Sequence, residues 1–460
     1  MSGKKIVFPY IPNSVPDVKR QMLKAVKAKH EMDLYEEIPE RLRVKRRLRL
    51  PKPILDESSL RRHVEGILQR NGSGYLSFLG AGCAEHFVPA VCDEINGRGE
   101  FLTAYGAASY ADHGKWQAYF EYCSLMGELL DMDILSLPLY DGGQAAATSL
   151  RMASRMTGRK EVVVPRALNP EVGLVIKNYL KPDITINEAE YDRKTGTLDL
   201  KKLRSKISSK TAAVLIENPT YLGLLEADAA EIGRMARSAG AEFIVYTDPI
   251  SLGVLSPPAK YGATFACGDF QPLGLHLNTG GGQGGFIATH DDMRYISQFK
   301  EELYGITPTI EPGEYGFDDV LYNRTAYGSR EKGNEYTGTA NGLWAITVAV
   351  YLSLMGPKGM QDTGRTIMQM SQYAAKRLST VKGVRLRFQG PFFKEFVLDF
   401  NRSGKSVAAI NRALLKERII GGKDLSKELP ELGQSSLYCV TEMRTQADID
   451  RLAGAMEEVL

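Results

Sequence analysis

Thr211-Ala212-Ala213-Val214-Leu215-Ile216 and Phe243-Ile244-Val245-Tyr246-Thr247-Asp248 are two short apolar runs of the kind that form buried strands. Between them, Ala229 to Ala239 places Ile232, Met235, Ala236 and Ala239 on one helical face. Parallel neighbours cannot be joined by a tight hairpin and need such a crossover, so this stretch predicts a βαβ unit. Glu161-Val162-Val163-Val164 is a further strand of the same type. The expected fold class is α/β, with a mainly parallel central sheet covered by helices. Ligands of such sheets bind at the carboxyl ends of the strands, and Asp248 stands at one.

At 460 residues the chain exceeds the size at which one core stops growing, so several domains are expected. Residues 1–75 read as an N-terminal arm with helices near 15–36 and 57–70, closed by Asn71-Gly72-Ser73-Gly74. Residues 76–340 carry the strand–helix alternation. Residues 341–460 read as a smaller α+β domain. It opens with the apolar helix Leu343 to Met355, which stops at Gly356-Pro357. Strands near 396–400 and 437–440 follow, with helices near 361–380, 405–417 and 446–459.

The net charge of +3 is too small to argue for nucleic acid or a membrane surface. Arg41 to Arg49 holds six basic residues in nine. Their alternation with Leu42, Val44 and Leu48, with Pro51 and Pro53 close behind, favours an extended segment laid over a protein surface. Five scattered cysteines without a CxxC pair, and six histidines without ligand spacing, point away from zinc, from any other metal site and from a disulfide framework. The N-terminus lacks the apolar core of a signal peptide, and no run of 18 apolar residues suggests a membrane span, so a cytoplasmic location is expected.

Several residues are candidates for chemistry. Asp141-Gly142-Gly143-Gln144 opens a helix of small residues, either as a phosphate cradle or as a tight turn capped by Asp141. Asp248 at a strand end could hold a pyridine nitrogen protonated, as in enzymes built on pyridoxal phosphate, or could simply start an Asp-Pro turn. Such enzymes carry a Schiff-base lysine shortly before a glycine run like Gly280-Gly281-Gly282-Gln283-Gly284-Gly285. Here no lysine lies between Lys260 and Lys300. Asp112-His113-Gly114 near Ser109 and Tyr110 lacks the GxSxG elbow of a hydrolase. His86 near Cys83 is expected to be a hydrogen-bonded loop cap.

The order of motifs resembles the first-subunit family of two-subunit glycine decarboxylases, the P-protein of the glycine cleavage system. The marks run from Pro39-Glu40-Arg41-Leu42-Arg43 through Phe78-Leu79-Gly80-Ala81-Gly82, Arg98-Gly99-Glu100-Phe101 and Thr103-Ala104-Tyr105. They continue with Tyr140-Asp141-Gly142, Asp248-Pro249-Ile250-Ser251-Leu252-Gly253, Gln271-Pro272-Leu273-Gly274, Arg330-Glu331-Lys332 and Cys439-Val440-Thr441-Glu442. The resemblance implies a fold-type-I pyridoxal-phosphate transferase architecture and explains the missing lysine, because in that family the cofactor lysine belongs to subunit 2. It further implies a lysine-less subunit, inactive alone. Its partners would be the pyridoxal-phosphate-bearing subunit, which decarboxylates glycine, and the lipoyl H-protein, which receives the aminomethyl group.

Asp141, Gly142, Gly143, Gln144, Asp248 and Gln271 are then expected to line a vestigial cofactor pocket without catalytic role. Tyr105, Ser109, Tyr110, Arg330, Lys332, Asn334 and Thr337 are expected at the subunit interface and active-site mouth. Three stretches depart from the family: Gly106 to Ala111, Gly333 to Gly338, and Asn169-Pro170 where His-Pro is usual. Altered mouth loops on a retained fold leave open a diverged paralogue serving another amino acid or carrier, or a purely structural scaffold subunit.

Overall fold

The computed structural model describes residues 7–46, 48–102, 114–278, 282–333, 335, 337 and 340–460. They fall into two compact units, Met1–Ser73 and Gly74–Leu460.

In the first unit the helix expected over 15–36 covers only Pro16–Ala25. Lys27 takes a left-handed φ of 58°. His30 and Asp33 then cap each other's backbone to start a separate turn at Glu31–Tyr35. The second helix, Glu57–Leu68, begins at Asp56, whose side chain accepts from the Ser59 amide. None of this unit's described residues is buried. The basic segment was expected to lie over a protein surface, yet within the unit its apolar side chains find no cover, and Leu50 is 76% exposed.

The second unit is built on a seven-stranded sheet. Its order is Ile134–Leu135, Gly285–Thr289, Phe265–Asp269, Glu242–Tyr246, Thr211–Glu217, Glu161–Pro165 and Thr185–Ala189. The last five strands of that order run parallel to one another, and Gly285–Thr289 is antiparallel to both of its neighbours. The inner strands are apolar without alternation because both faces are covered. Val163, Val214, Phe243, Val245 and Ala266 belong to one core layer. Val162, Val164, Leu215, Ile244 and Phe265 belong to the layer on the opposite face.

A second, four-stranded antiparallel sheet is ordered Arg385–Leu386, Glu395–Asp399, Ser435–Cys439 and Lys423–Asp424. It has its own core, including Phe396, Leu398, Leu437, Ile449 and Leu452. Leu76–Ser77, expected with the large sheet's residues, pairs in parallel with Ile419–Ile420.

The helix Gly342–Leu378 links the two cores. It is broken at Gly356, whose φ of 56° and ψ of −177° are not helical, directly before Pro357. Ala345, Ile346, Val348 and Ile367 pack in the large sheet's core, and Ala374, Ala375 and Leu378 in the small sheet's. By length and composition this is one helix that could cross a membrane, but its apolar side chains build these cores.

One glycine docks the small sheet on the large one. Gly223, in the turn after Thr211–Glu217, has a φ of +86°, and a Cβ there would lie 1.9 Å from the Glu395 carbonyl oxygen. Gly223→Ala is expected to destabilise the protein by roughly 3–5 kcal/mol, since both the conformation and the packing exclude a side chain. Gly454→Ala, in the final helix with open space around it, is expected to be neutral or to stabilise by up to about 1 kcal/mol. Thermal unfolding of the two variants measures the contrast.

Candidate functional site

Three neighbouring strands end in carboxylates. Glu217 closes the strand Thr211–Glu217 and Asp269 closes Phe265–Asp269. Asp248 follows two residues after Glu242–Tyr246. All three line a cavity of about 70 Å³, together with Asn169, Tyr246, Lys394 and Glu395.

Asp248 does both things considered for it. Its Oδ1 accepts from the Ile250 amide at 3.3 Å, the local turn. Its Oδ2 lies 2.7 Å from Lys394 Nζ, off the axis of an aligned hydrogen bond, so the contact is an ion pair. Lys394 comes from the far side of the cavity, immediately before the strand Glu395–Asp399. Burial opposes its charge, but the Asp248 carboxylate, aided by Cys439 and Glu395, outweighs burial and holds the ammonium above the ordinary lysine range. Holding the amine as ammonium disfavours the neutral form that attacks an aldehyde.

His86 is not the loop cap expected of it. Its Nε2 lies 3.3 Å from Lys394 Nζ and its Nδ1 3.0 Å from Glu442 Oε2. The ammonium can only donate, so Nε2 accepts and Nδ1 donates to Glu442. Glu442, His86, Lys394 and Asp248 form a line of alternating donors and acceptors.

At the start of the helix Gly142–Thr157, Asp141 is the N-cap and accepts from the Gln144 amide at 2.7 Å. The next amide, Gly142, donates to Asp269 Oδ2 at 3.2 Å. Asp269 Oδ1 takes the Gln271 amide at 2.9 Å, and the Gly284 amide also faces the carboxylate. Gly142 is required here, because a Cβ would lie 2.4 Å from the Tyr246 hydroxyl oxygen. Beside this turn opens a cleft of about 180 Å³. Asp141, Glu171 and Asp269 line it, and among the described residues no lysine or arginine does.

Gln144 donates to Thr337 Oγ1 at 2.9 Å, which brings together two residues expected apart, one in the pocket and one at the mouth. Gln271 is buried, but its amide donates to the Leu275 carbonyl at 3.0 Å rather than lining the cavity. Arg330 and Lys332 are exposed, in a short turn Arg330–Lys332. Tyr105, Ser109, Tyr110 and Asn334 lie outside the described residues, as do Gly280 and Gly281 of the glycine run. Within the departing loop, Glu335 is bonded to both Arg151 and Arg155 of the Gly142–Thr157 helix. Sequence reasoning missed Lys394, Asp269, Glu217 and Glu335. The only local signal for Lys394 is its place between Phe393 and the apolar strand that follows.

This arrangement, charged groups gathered at the carboxyl ends of a mainly parallel sheet with a small α+β unit closing over them, defines the chain as a fold-type-I pyridoxal-phosphate enzyme fold. A sphingosine-1-phosphate lyase structure from Burkholderia pseudomallei shares that fold, with a TM-score of 0.64 at 15% identity over 90% of this chain and 92% of that one. The model of the glycine cleavage system P-protein family matches residues 9–456, and the chain belongs to that family. A crystal structure of glycine decarboxylase (P-protein) of the glycine cleavage system, in inhibitor-bound form, is 32% identical with a TM-score of 0.83, covering 99% of this chain and 100% of that one. Proteins named probable glycine dehydrogenase (decarboxylating) subunit 1 are similar over the full length. The one from Staphylothermus marinus is 36% identical over 98% of each chain. The one from Carboxydothermus hydrogenoformans is 38% identical over 97% of this chain and 99% of its own.

The family works with pyridoxal phosphate, but the residues here do not suit it. The ring nitrogen's expected carboxylate is paired with Lys394. The helix amide that would meet a phosphate is bonded to Asp269, and the adjoining cleft is lined by carboxylates.

Burial pushes Glu217 from 4.5 up to about 8, despite amide donors from Asn169 and Tyr221, and Asp269 up to about 7. A carboxyl whose pKa is raised by folding favours the fold as the acid. That preference is intact below the unfolded value and is lost as pH rises through the folded one. For Glu217 the window runs from about pH 4.5 to about pH 8. Glu217→Gln, which cannot ionise, is expected to gain stability relative to the wild type across that window, by on the order of a few kcal/mol. Urea unfolding of both proteins at pH 5, 6.5 and 8 measures it, and a difference independent of pH would contradict the assignment.

Proposed function

We propose that this chain is the lysine-less subunit of a two-subunit glycine decarboxylase of the glycine cleavage type, inactive alone. It pairs with a second chain that carries pyridoxal phosphate, decarboxylates glycine and passes the aminomethyl group to lipoyl H-protein. The carrying observation is that Asp248, the strand-end carboxylate, is paired with Lys394 while no lysine lies between Lys260 and Lys300. The subunit 1 names of the full-length relatives support the pairing. When bound in the partner, the cofactor supplies an electron sink for the carbanion left by decarboxylation. This chain's contribution is structural. Its helix Gly142–Thr157 holds Thr337 through Gln144 and Glu335 through Arg151 and Arg155. A cytoplasmic location accompanies this role.

A second reading, a paralogue serving another amino acid or carrier, draws on that same loop. Glu335 lies in the stretch that departs from the family, and two arginines hold its side chain at a place proposed to form the active-site mouth.

The purified chain mixed with pyridoxal phosphate is expected to give no borohydride-reducible adduct. Co-expressed with a partner chain that has the cofactor lysine, it is expected to co-purify and to support exchange of labelled bicarbonate into glycine. Neither chain alone should do so. A reducible adduct on this chain alone would falsify the proposal, and exchange into another amino acid in preference to glycine would favour the second reading.

A further inference from the structure

We infer that this chain carries its own internal substitute for the polar ends of the cofactor: the Lys394 ammonium stands on Asp248 where a protonated ring nitrogen would, and the Asp269 carboxylate stands on the Gly142 amide where a phosphate would. The inference rests on the proposed role as the cofactor-free subunit and supplies its physical cause. Loss of the Schiff-base lysine alone does not stop a phosphorylated pyridine from binding, because most of its recognition is non-covalent: a carboxylate for the ring nitrogen and a helix N-terminus for the phosphate.

Both halves of that recognition are present here, and both are satisfied from within. Asp248 Oδ2 has Lys394 Nζ at 2.7 Å, and His86 braces the ammonium from behind at 3.3 Å. Asp269 gathers the amides of Gly142 at 3.2 Å and Gln271 at 2.9 Å, with that of Gly284. The groups stand where the ligand's polar ends would, an ammonium on Asp248 and carboxyl oxygens on the amides at the helix terminus.

The remaining room agrees with this. The cavity at the Asp248 end is about 70 Å³, under half of the roughly 150 Å³ that admits benzene. The cleft at the helix end is larger, but it is lined by Asp141, Glu171 and Asp269 and, among the described residues, by no lysine or arginine, a repulsive setting for a phosphate dianion. To enter, a pyridine phosphate would have to unpair a buried ammonium and displace a carboxylate from its amides, and neither released group gains a new partner.

The test uses the full-length chain and pyridoxamine 5′-phosphate, which has the ring and the phosphate but no aldehyde to react with a lysine. Binding is followed by isothermal titration and by equilibrium dialysis. The wild type is expected to show no saturable uptake up to millimolar probe. Lys394→Ala and Asp269→Asn are each expected to gain affinity, and the double variant is expected to bind at least tenfold more tightly than either. Lys394→Arg keeps the cation and should stay without uptake. Inorganic phosphate should compete with the probe in the Asp269→Asn protein. Circular dichroism and thermal unfolding establish that each protein is folded. Should the double variant fail to fold, the near-isosteric Asp269→Asn and the charge-preserving Lys394→Arg still decide the question.

Uptake by the wild type as tight as by the variants overturns the inference, and so does a folded Asp269→Asn or Lys394→Ala protein that gains nothing. Wild-type uptake without a reducible adduct would leave the proposed subunit role standing. Glycine exchange by this chain alone would remove that role regardless of the titration.

Discussion

The inner strands of the large sheet are covered on both faces, and that constraint decides where polar groups can go. A charged side chain within such a strand would face a core layer on one side or the other. Charge is therefore pushed to the strand ends, where Glu217 and Asp269 close two strands and Asp248 follows the one between them. Carboxyls placed this way lose solvation, which is why burial raises Glu217 and Asp269. A cation must come from elsewhere. It comes from the small sheet, as Lys394, and Gly223 sets the close approach between the two sheets by admitting the Glu395 carbonyl.

In most fold-type-I enzymes the same geometric necessity serves a cofactor, whose cationic ring nitrogen and anionic phosphate complement the strand ends and the helix terminus. This chain keeps the scaffold and meets its electrostatic demands with protein atoms. The fold can be retained without the ligand only if those demands are met in some other way. A bare Asp248 in a closed pocket would be an unpaired buried charge, and a bare helix terminus would leave amides without acceptors.

Local chemistry was legible in the sequence. The βαβ stretch gave the parallel sheet, because a continuous apolar run has meaning only when both faces are buried. Asp141 and Asp248 were legible as turn caps, since a cap and its amide lie a few residues apart. The break at Gly356-Pro357 was visible for the same reason. Lys394 was not, because its partner Asp248 lies on the other sheet and neither neighbourhood signals the pairing. His86 and Glu442 are separated by 356 positions, and only the closure of the small unit over the large brings them together. The arm showed the opposite limit. Its pattern of basic and apolar residues suggested a covered surface, but the residues that would cover it are not in its own unit.

The broken helix Gly342–Leu378 has an implication for how this chain can change over time. Its residues complete two hydrophobic cores, one beneath each sheet, so neither half of the polypeptide owns a full set of packing partners. Cutting the gene on either side of that helix would leave one product with an open apolar trough and the other with an unclothed apolar rod. The large and small halves thus depend on one another for a complete core.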